Sequence, residues 1–266
     1  MKIAFFGIHS QHWLSNLNEN NLREITETTI VKHIHCYPVY TSHLKTYDLV
    51  IPLMETHALK LNKNDITFLI PSNKTINKFM CKFNFELYVR ESNLTLYVPK
   101  TFISYDEFVY YNSDSNLFII KPYFGVNGSN MLIVKSLDVS SFNQNIVQEH
   151  IPNNEQYVSH IFAIDGIIKK CITYKYSHDK EIHINQYPVN TGNISNYFVN
   201  AEIIEIFEQF LKPELYTGIC NIDFIIVNEK PIIFEINPRL GGSLVRNKND
   251  LIEMLIFIIE KIEKKL

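Results

Sequence analysis

Asp223, Glu235 and Asn237 have the side-chain types and the spacing of a site for a hard divalent cation. They sit in two β-branched and aromatic runs, Gly218–Val227 and Ile232–Asn237, joined by the polar stretch from Asn228 to Pro231. That pattern is a hairpin signal. Glu235 and Asn237 are two residues apart, so both point to the same face of their strand. Asp223 stands opposite Glu235 if the loop is the odd-membered Asn228–Lys230. A two-residue loop would turn it to the other face, because a slip of one residue reverses every side chain. The cation reading therefore predicts an odd-membered loop. Magnesium suits such oxygens: it takes one or two carboxylates and completes its octahedron with water and phosphate. Manganese is the alternative. The competing reading is a hairpin with a solvated polar face.

The residues that follow add to the cation reading. Pro238 ends the ladder by removing an N–H. Arg239 offers a planar fork to phosphate or carboxylate. Gly241 and Gly242 permit backbone conformations that bring N–H groups to an anion. Upstream, Lys121 closes the apolar run Leu117–Ile120, and Gly125, Gly128 and Ser129 follow in a turn between two strands. The N–H groups of such a turn can fold over phosphates. The turn lacks the Gly-Lys-Ser/Thr ending of a P-loop. Lys74, Lys78 and Lys82 recur at helical spacing, for which a solvated basic face is the plain alternative.

The elements that must position these groups read as two units. Of the 266 residues, 46% are hydrophobic and 20% charged, and the formal net charge is −3, enough for one large or two small globular domains. Without a basic excess, nucleic acid is not expected as a partner. The apolar run Ile3–Phe6 is too short for a signal peptide, and Leu251–Ile259 is far short of a membrane span. Cys36, Cys81, Cys171 and Cys220 are scattered, which points to buried free thiols and a reducing, cytoplasmic setting. Residues 1–71 alternate strand signals (Ile3–Phe6, Thr28–His35, Tyr47–Leu53, Ile66–Pro71) with a helical stretch at His9–Glu27, a small doubly wound α/β domain. No G-x-G-x-x-G follows the first strand. His33 and His35 alternate on a strand without a third ligand nearby, so ordinary burial is the better account of them. Residues 72–266 open with a helix on Ile76, Phe79, Met80, Phe83 and Leu87. They continue through a hairpin, Tyr157–Ile164 and Ile167–Tyr176, turned by Asp165-Gly166. Lys175 lies near the end of that hairpin. An amphipathic helix over Tyr197–Leu211 and a last helix from Asn249 or Asp250 complete the unit.

Taken in order, the stretch from Ser72 to Ser243 resembles the ATP-grasp superfamily. The matching parts are a helix with Lys78, the strand ending Lys121-Pro122, the lid loop from Gly125, the hinge-like Val147–Pro152 with Glu155 beyond it, Asp223, and the run from Phe234 to Ser243. The resemblance implies an α/β and α+β ATP-grasp fold behind a short N-terminal doubly wound domain. It implies a lid subdomain over about 99–150 and a C-terminal subdomain over about 151–266. It implies that Lys78 and Lys121 meet the phosphates, that Gly125, Gly128 and Ser129 cover them, and that Gln148, Glu149, His150 and Ile151 face the adenine. Glu155 would reach the ribose. Asp223, Glu235 and Asn237 would hold two magnesium ions, and Arg239, with Lys175 as a looser candidate, would act on the transferred phosphate.

The activity implied is ATP-dependent joining of a small-molecule or peptide carboxylate to an amine through an acyl phosphate. Phosphoryl transfer or carboxylation on the same fold, or a non-catalytic nucleotide-binding module, stay open. The chain departs from the family pattern in its short N-terminal unit and in Asn153-Asn154, where a glycine is common.

Overall fold

The computed structural model describes residues 1–7, 9–18, 20–29, 31, 33–35, 41–62, 69–111, 113–125, 130–178 and 194–263. At residues 14, 28, 33, 35, 41, 42 and 62 it describes the backbone alone. The chain begins with β1 (Lys2–Phe6), α1 (Gln11–Asn16), α2 (Arg23–Thr28), β2 (His33–His35), β3 (Leu49–Pro52) and α3 (Glu55–Asn62). The three strands form a parallel sheet in the order β2-β1-β3, as apolar runs separated by helices require. The helix expected over His9–Glu27 comes as two short pieces, α1 and α2. Of the strand expected at Ile66–Pro71, residues 66–68 lie outside the described residues, and residues 69–71 form no strand.

The second unit starts with α4 (Asn73–Met80) and α5 (Lys82–Glu91). Ser72 caps α4, its Oγ accepting from the Thr75 N–H at 3.1 Å. Between the two helices Cys81 is extended, with φ −97° and ψ 116°. That break takes Lys82 off the stripe that carries Lys74 and Lys78. Next come β4 (Thr101–Phe102), α6 (Tyr105–Tyr111), β5 (Phe118–Pro122), β6 (Leu132–Val134) and β7 (Asn145–Glu149). Their strands make an antiparallel sheet in the order β4-β7-β5-β6, with a small core of Phe102, Phe118, Ile120 and Val147.

The larger sheet contains β8 (Glu155–Ile164), β9 (Ile167–Ser177), β10 (Ile194–Tyr197), β11 (Gly218–Val227) and β12 (Lys230–Asn237). All its pairings are antiparallel, in the order β10-β9-β8-β11-β12. The β8–β9 turn is Asp165-Gly166, both at positive φ, as the dipeptide predicts. Between β10 and β11, α7 (Ala201–Leu211) is capped by Asn200, whose Oδ1 accepts from the Ile203 N–H at 2.9 Å. Ile203, Phe207 and Phe210 of α7 share one core with Phe79 and Phe85 and with Tyr157, Ile222 and Phe224 of the sheet. After β12 come α8 (Gly242–Arg246) and α9 (Lys248–Glu263). The buried stripe Leu251, Leu255, Ile258 and Ile259 of α9 packs with Ile3 and Phe5 of β1 and with Phe162 and Ile219 of the large sheet. The last helix thus ties the N-terminal sheet to the large one. Cys81, Cys171 and Cys220 are free thiols, and Cys36 lies outside the described residues. Among the described residues no helix is long and apolar enough to cross a membrane.

Candidate functional site

The hairpin differs from expectation in its loop and agrees in its outcome. Val227 pairs with Lys230, so the loop is two residues, Asn228 and Glu229, at φ +50° and +65°. Left alone, that loop would turn Asp223 away from Glu235. The register then shifts: Phe224 pairs with Ile233, but Asp223 pairs with Glu235. Phe234 is the extra residue of a β-bulge, and it restores the face that the even loop would have lost. Asn221, opposite Asn237, joins the same row.

Four oxygen-bearing side chains therefore converge. Asn237 Nδ2 donates to Asp223 Oδ2 at 3.0 Å and to Glu235 Oε1 at 3.1 Å, and Asn221 Nδ2 lies 3.4 Å from Asp223 Oδ2. The Asn237 amide thus bridges the two carboxylates. Burial, and then the neighbouring Glu235 charge, hold the Asp223 carboxyl well above the usual carboxylate range. Burial works the same way on Glu235, but Lys82, Asn237 and Lys121 outweigh it and bring that carboxyl down. Asn221 Oδ1 is buried with no hydrogen-bond partner. Two apposed carboxylates and amide oxygens are a hard, oxygen-only donor set, which fits magnesium and not a soft metal.

Cations arrive from other elements. Lys82, at the start of α5, lies 3.5 Å from Glu235 Oε2, and its ammonium donates to the Gly125 carbonyl at 3.3 Å. Lys121, on β5, is buried 5.2 Å from the Phe234 ring centroid. Burial lowers its ammonium to about 8; Glu235 opposes that shift, Lys82 adds to it and Asp223 opposes it. Lys78 lies away from the carboxylate row. Its ammonium is engaged by Glu214 and lies 4.4 Å from the Tyr88 ring centroid, so the break at Cys81 leaves Lys82 as the helix cation that meets the carboxylates. Arg239 Nε donates to Glu55 Oε1 at 2.8 Å and Nη1 to the Leu240 carbonyl at 3.1 Å. Its charge lowers the Asp223 carboxyl, which partly offsets burial. Glu55 opens α3, so this ion pair joins the N-terminal unit to the end of β12.

The other expected residues fall in several places. Lys175 alternates with Tyr174 and Tyr176 and so points from the opposite face of β9 to the one that carries Asp223. Its ammonium is paired with Glu155 Oε1 at 2.5 Å, which separates it from the carboxylate row. Lys175 and the Tyr157 hydroxyl together hold the Glu155 carboxyl below its ordinary value. Gln148 is buried, its Nε2 donating to Thr101 Oγ1 at 3.0 Å. The Glu149 carboxylate accepts from Ser113 and lies 3.4 Å from the Lys100 ammonium. His150 and Ile151 are half-buried in the connection from β7 to β8. Gly125 is exposed, three residues past the end of β5, while Gly128 and Ser129 lie outside the described residues.

Neither Gly241 nor Gly242 has positive φ. Gly241 is small because a Cβ there would meet His160 Cε1 at 2.2 Å. His160 is a residue that the sequence did not single out. It is fully buried and kept neutral down to about 3, by burial and then by Arg239. Its Nε2 lies 2.7 Å from Ser243 Oγ. Asn221 and Lys82 did carry a sequence signal: one is two residues before Asp223, the other one turn beyond Lys78.

The model of the ATP-grasp domain matches residues 85–243, more than half of the chain. The fold is similar to D-alanine–D-alanine ligase from Bacillus anthracis complexed with ATP, at a TM-score of 0.65 and 14% identity, covering 99% of this chain and 97% of that one. It is also similar to phosphoribosylamine–glycine ligase from Thermotoga maritima, at 0.69 and 12%, covering 98% and 76%. An uncharacterized protein of Methanocaldococcus jannaschii is 26% identical over 176 residues, 64% of this chain and 43% of the relative. The chain thus spans less than half the length of that curated relative. The bulged hairpin, the two lysines that meet it and the matched span lead to one conclusion: the chain belongs to the ATP-grasp family.

Proposed function

We propose that the chain is an ATP- and magnesium-dependent ligase that joins a carboxylate to an amine through an acyl phosphate. One observation carries the reading: Asp223, Glu235 and Asn237 share a face with Lys82 and Lys121 directed at it from a different sheet and helix. A carboxylate is a poor electrophile at neutral pH, and phosphorylating it supplies a leaving group. That transfer needs positioning and neutralisation of charge on phosphate oxygens more than it needs a protein nucleophile. Asp223, Glu235 and Asn237 would hold magnesium, which supplies that neutralisation when bound. Lys121 and Lys82 place positive charge beside the same point, and Arg239 is oriented there by Glu55.

The test is a mass-spectrometric screen of amino-acid and metabolite pools for condensation products made with Mg-ATP, with ADP release followed in parallel. An amide product with stoichiometric ADP is the expected result. A stable phosphorylated or carboxylated product would replace the amide reading. Stabilisation by Mg-ATP without turnover against any pool would leave a binding module.

A pH dependence follows from Lys121. In the free protein its ammonium titrates at about 8, held down by burial. Phosphate favours the charged form, so the bound-state value rises. Above pH 8, Mg-ATP binding is expected to take up a proton and to weaken as pH rises. Calorimetry in buffers of different ionisation heat measures that proton, and Lys121→Met is expected to remove it.

A further inference from the structure

His160 stands on the same face of the large sheet as the carboxylate row: it pairs with Asn221, two residues before Asp223. Its ring is enclosed. Gly241 backs it, and the Tyr174 ring meets it edge-on, the centroids 5.5 Å apart at 63°. Burial keeps the ring neutral, so it carries one proton. On Nδ1 that proton would be an orphan, because Nδ1 is buried with no hydrogen-bond partner. A buried N–H without an acceptor is the costlier choice. On Nε2 the proton is donated to Ser243 Oγ at 2.7 Å. The Ser243 oxygen is then an acceptor, and its own proton turns to the next oxygen, that of Tyr176. The Tyr176 phenol bears the mark of that contact. Burial raises it, and the Ser243 hydroxyl opposes the rise, as a donor to the phenol oxygen does.

We propose that His160 is a positioning residue: it sets the direction of a hydrogen-bond chain from its Nε2 through Ser243 to Tyr176, and so presents the Tyr176 hydroxyl as a donor on the Asp223 face. Tyr176 lies on that face, two residues beyond the Tyr174 that pairs with Val158 and, through it, aligns with Asp223. Tyr174 itself cannot take the part, since its proton is committed to Asp250 Oδ2 at 2.6 Å. Tyr176 and Ser243 border an open concavity of about 370 Å³, so the freed proton of the tyrosine faces open space. A donor of fixed direction favours an oxygen that gains negative charge. Were the chain reversed, with Ser243 donating to Nε2, the tyrosine would donate to Ser243 and face the site as an acceptor. The direction of the chain is independent of the ligase reading; the oxyanion that meets Tyr176 rests on it.

The direction is read by NMR on the full chain labelled with ¹⁵N-histidine, the His160 signals being assigned by their loss in His160→Gln. A neutral ring protonated at Nε2 is expected between about pH 5 and 9. A proton on Nδ1, or a ring that charges in that range, overturns the proposal. Labelling tyrosine at Cζ reports the far end of the chain. His160→Gln keeps an amide N–H where Nε2 lies, and His160→Met fills the space without a donor. The Tyr176 resonance is expected to move in Ser243→Ala and in His160→Met, and to stay near its wild-type position in His160→Gln. Indifference of that resonance to Ser243→Ala overturns the relay, whether or not the methionine variant folds. The role of the donor is read in the product screen, where Tyr176→Phe is expected to lower kcat about tenfold or more while the KM for Mg-ATP changes by less than about threefold. Unchanged kcat overturns that role. If no pool gives turnover, the ligase reading falls, and the tautomer and the Tyr176 resonance still decide the relay.

Discussion

Asp223→Asn is expected to abolish ADP release, by about 10³-fold or more, while leaving the ligand-free protein at least as stable as the wild type at neutral pH. The two effects have one cause. Asp223 is buried against Glu235, and its carboxyl is held above the ordinary range by burial and then by that neighbour. A carboxylate whose folded-state value is raised contributes stability below its unfolded value of about 3.9, and that contribution is lost as pH rises through the folded value. At neutral pH the apposed carboxyls therefore weaken the free protein relative to acid pH, and the proposed divalent ion would relieve that cost. Asparagine keeps the size and an oxygen for Asn221 and Asn237, whose side-chain amides now meet Asp223 Oδ2. Thermal unfolding across pH, with and without magnesium, gives the stability side. The wild type is expected to lose stability as pH rises without magnesium and to regain it with the ion, while both responses are expected to be smaller in the variant. Glu235→Gln is expected to lose turnover to the same extent. Full activity in either variant would remove the cation assignment.

Gly241→Ala is expected to destabilise the fold by about 1–3 kcal/mol or more, an unusual cost for one methyl group. The added Cβ would lie 2.2 Å from His160 Cε1, 2.6 Å from His160 Nδ1 and 3.3 Å from Asn221 Cβ. His160 has no solvent to swing into, and its Nε2 is held by Ser243. The backbone between Asn237 and Ser243 would have to move instead, and Arg239 and Ser243 would move with it. Urea unfolding measures the stability cost, and Mg-ATP titration measures the shift at the site. In a double-mutant cycle with His160→Ala, the second substitution is expected to recover part of the loss, a favourable coupling of about 1 kcal/mol or more between touching groups. Additive losses would show that the two residues do not press on each other.

Much of the site was legible before the fold was known, because cation chemistry restricts residue type and strand periodicity restricts facing. Glu235 and Asn237 could be placed on one face from alternation alone, Asp223 only on the assumption of an odd-membered loop, and Lys121 from its place at the end of a strand. The route was less legible. An even loop and a bulge at Phe234 cancel, and propensity does not announce a bulge between β-branched neighbours. Lys82 was passed over for Lys78 because unbroken helical periodicity puts both on one stripe. Only the extended backbone at Cys81 separates them. Lys175 was near in sequence order but lies on the other face of its strand.

By itself, the amino-acid sequence determined the kinds of layers and the chemistry they could carry. Apolar runs at strand and helix periods specify a parallel unit followed by antiparallel sheets, and oxygen donors beside lysines are the residue types that the proposed phosphate and cation site would use. Tertiary structure decided which groups meet. The Glu55–Arg239 ion pair spans 184 residues of chain, His160 is pressed against Gly241, and the tyrosines of β9 meet Ser243 across a cavity. Contacts of that kind depend on how sheets and helices pack on one another. Local patterns govern backbone form and facing over a few residues, while the distance between remote side chains is set by the shared cores that α7 and α9 complete.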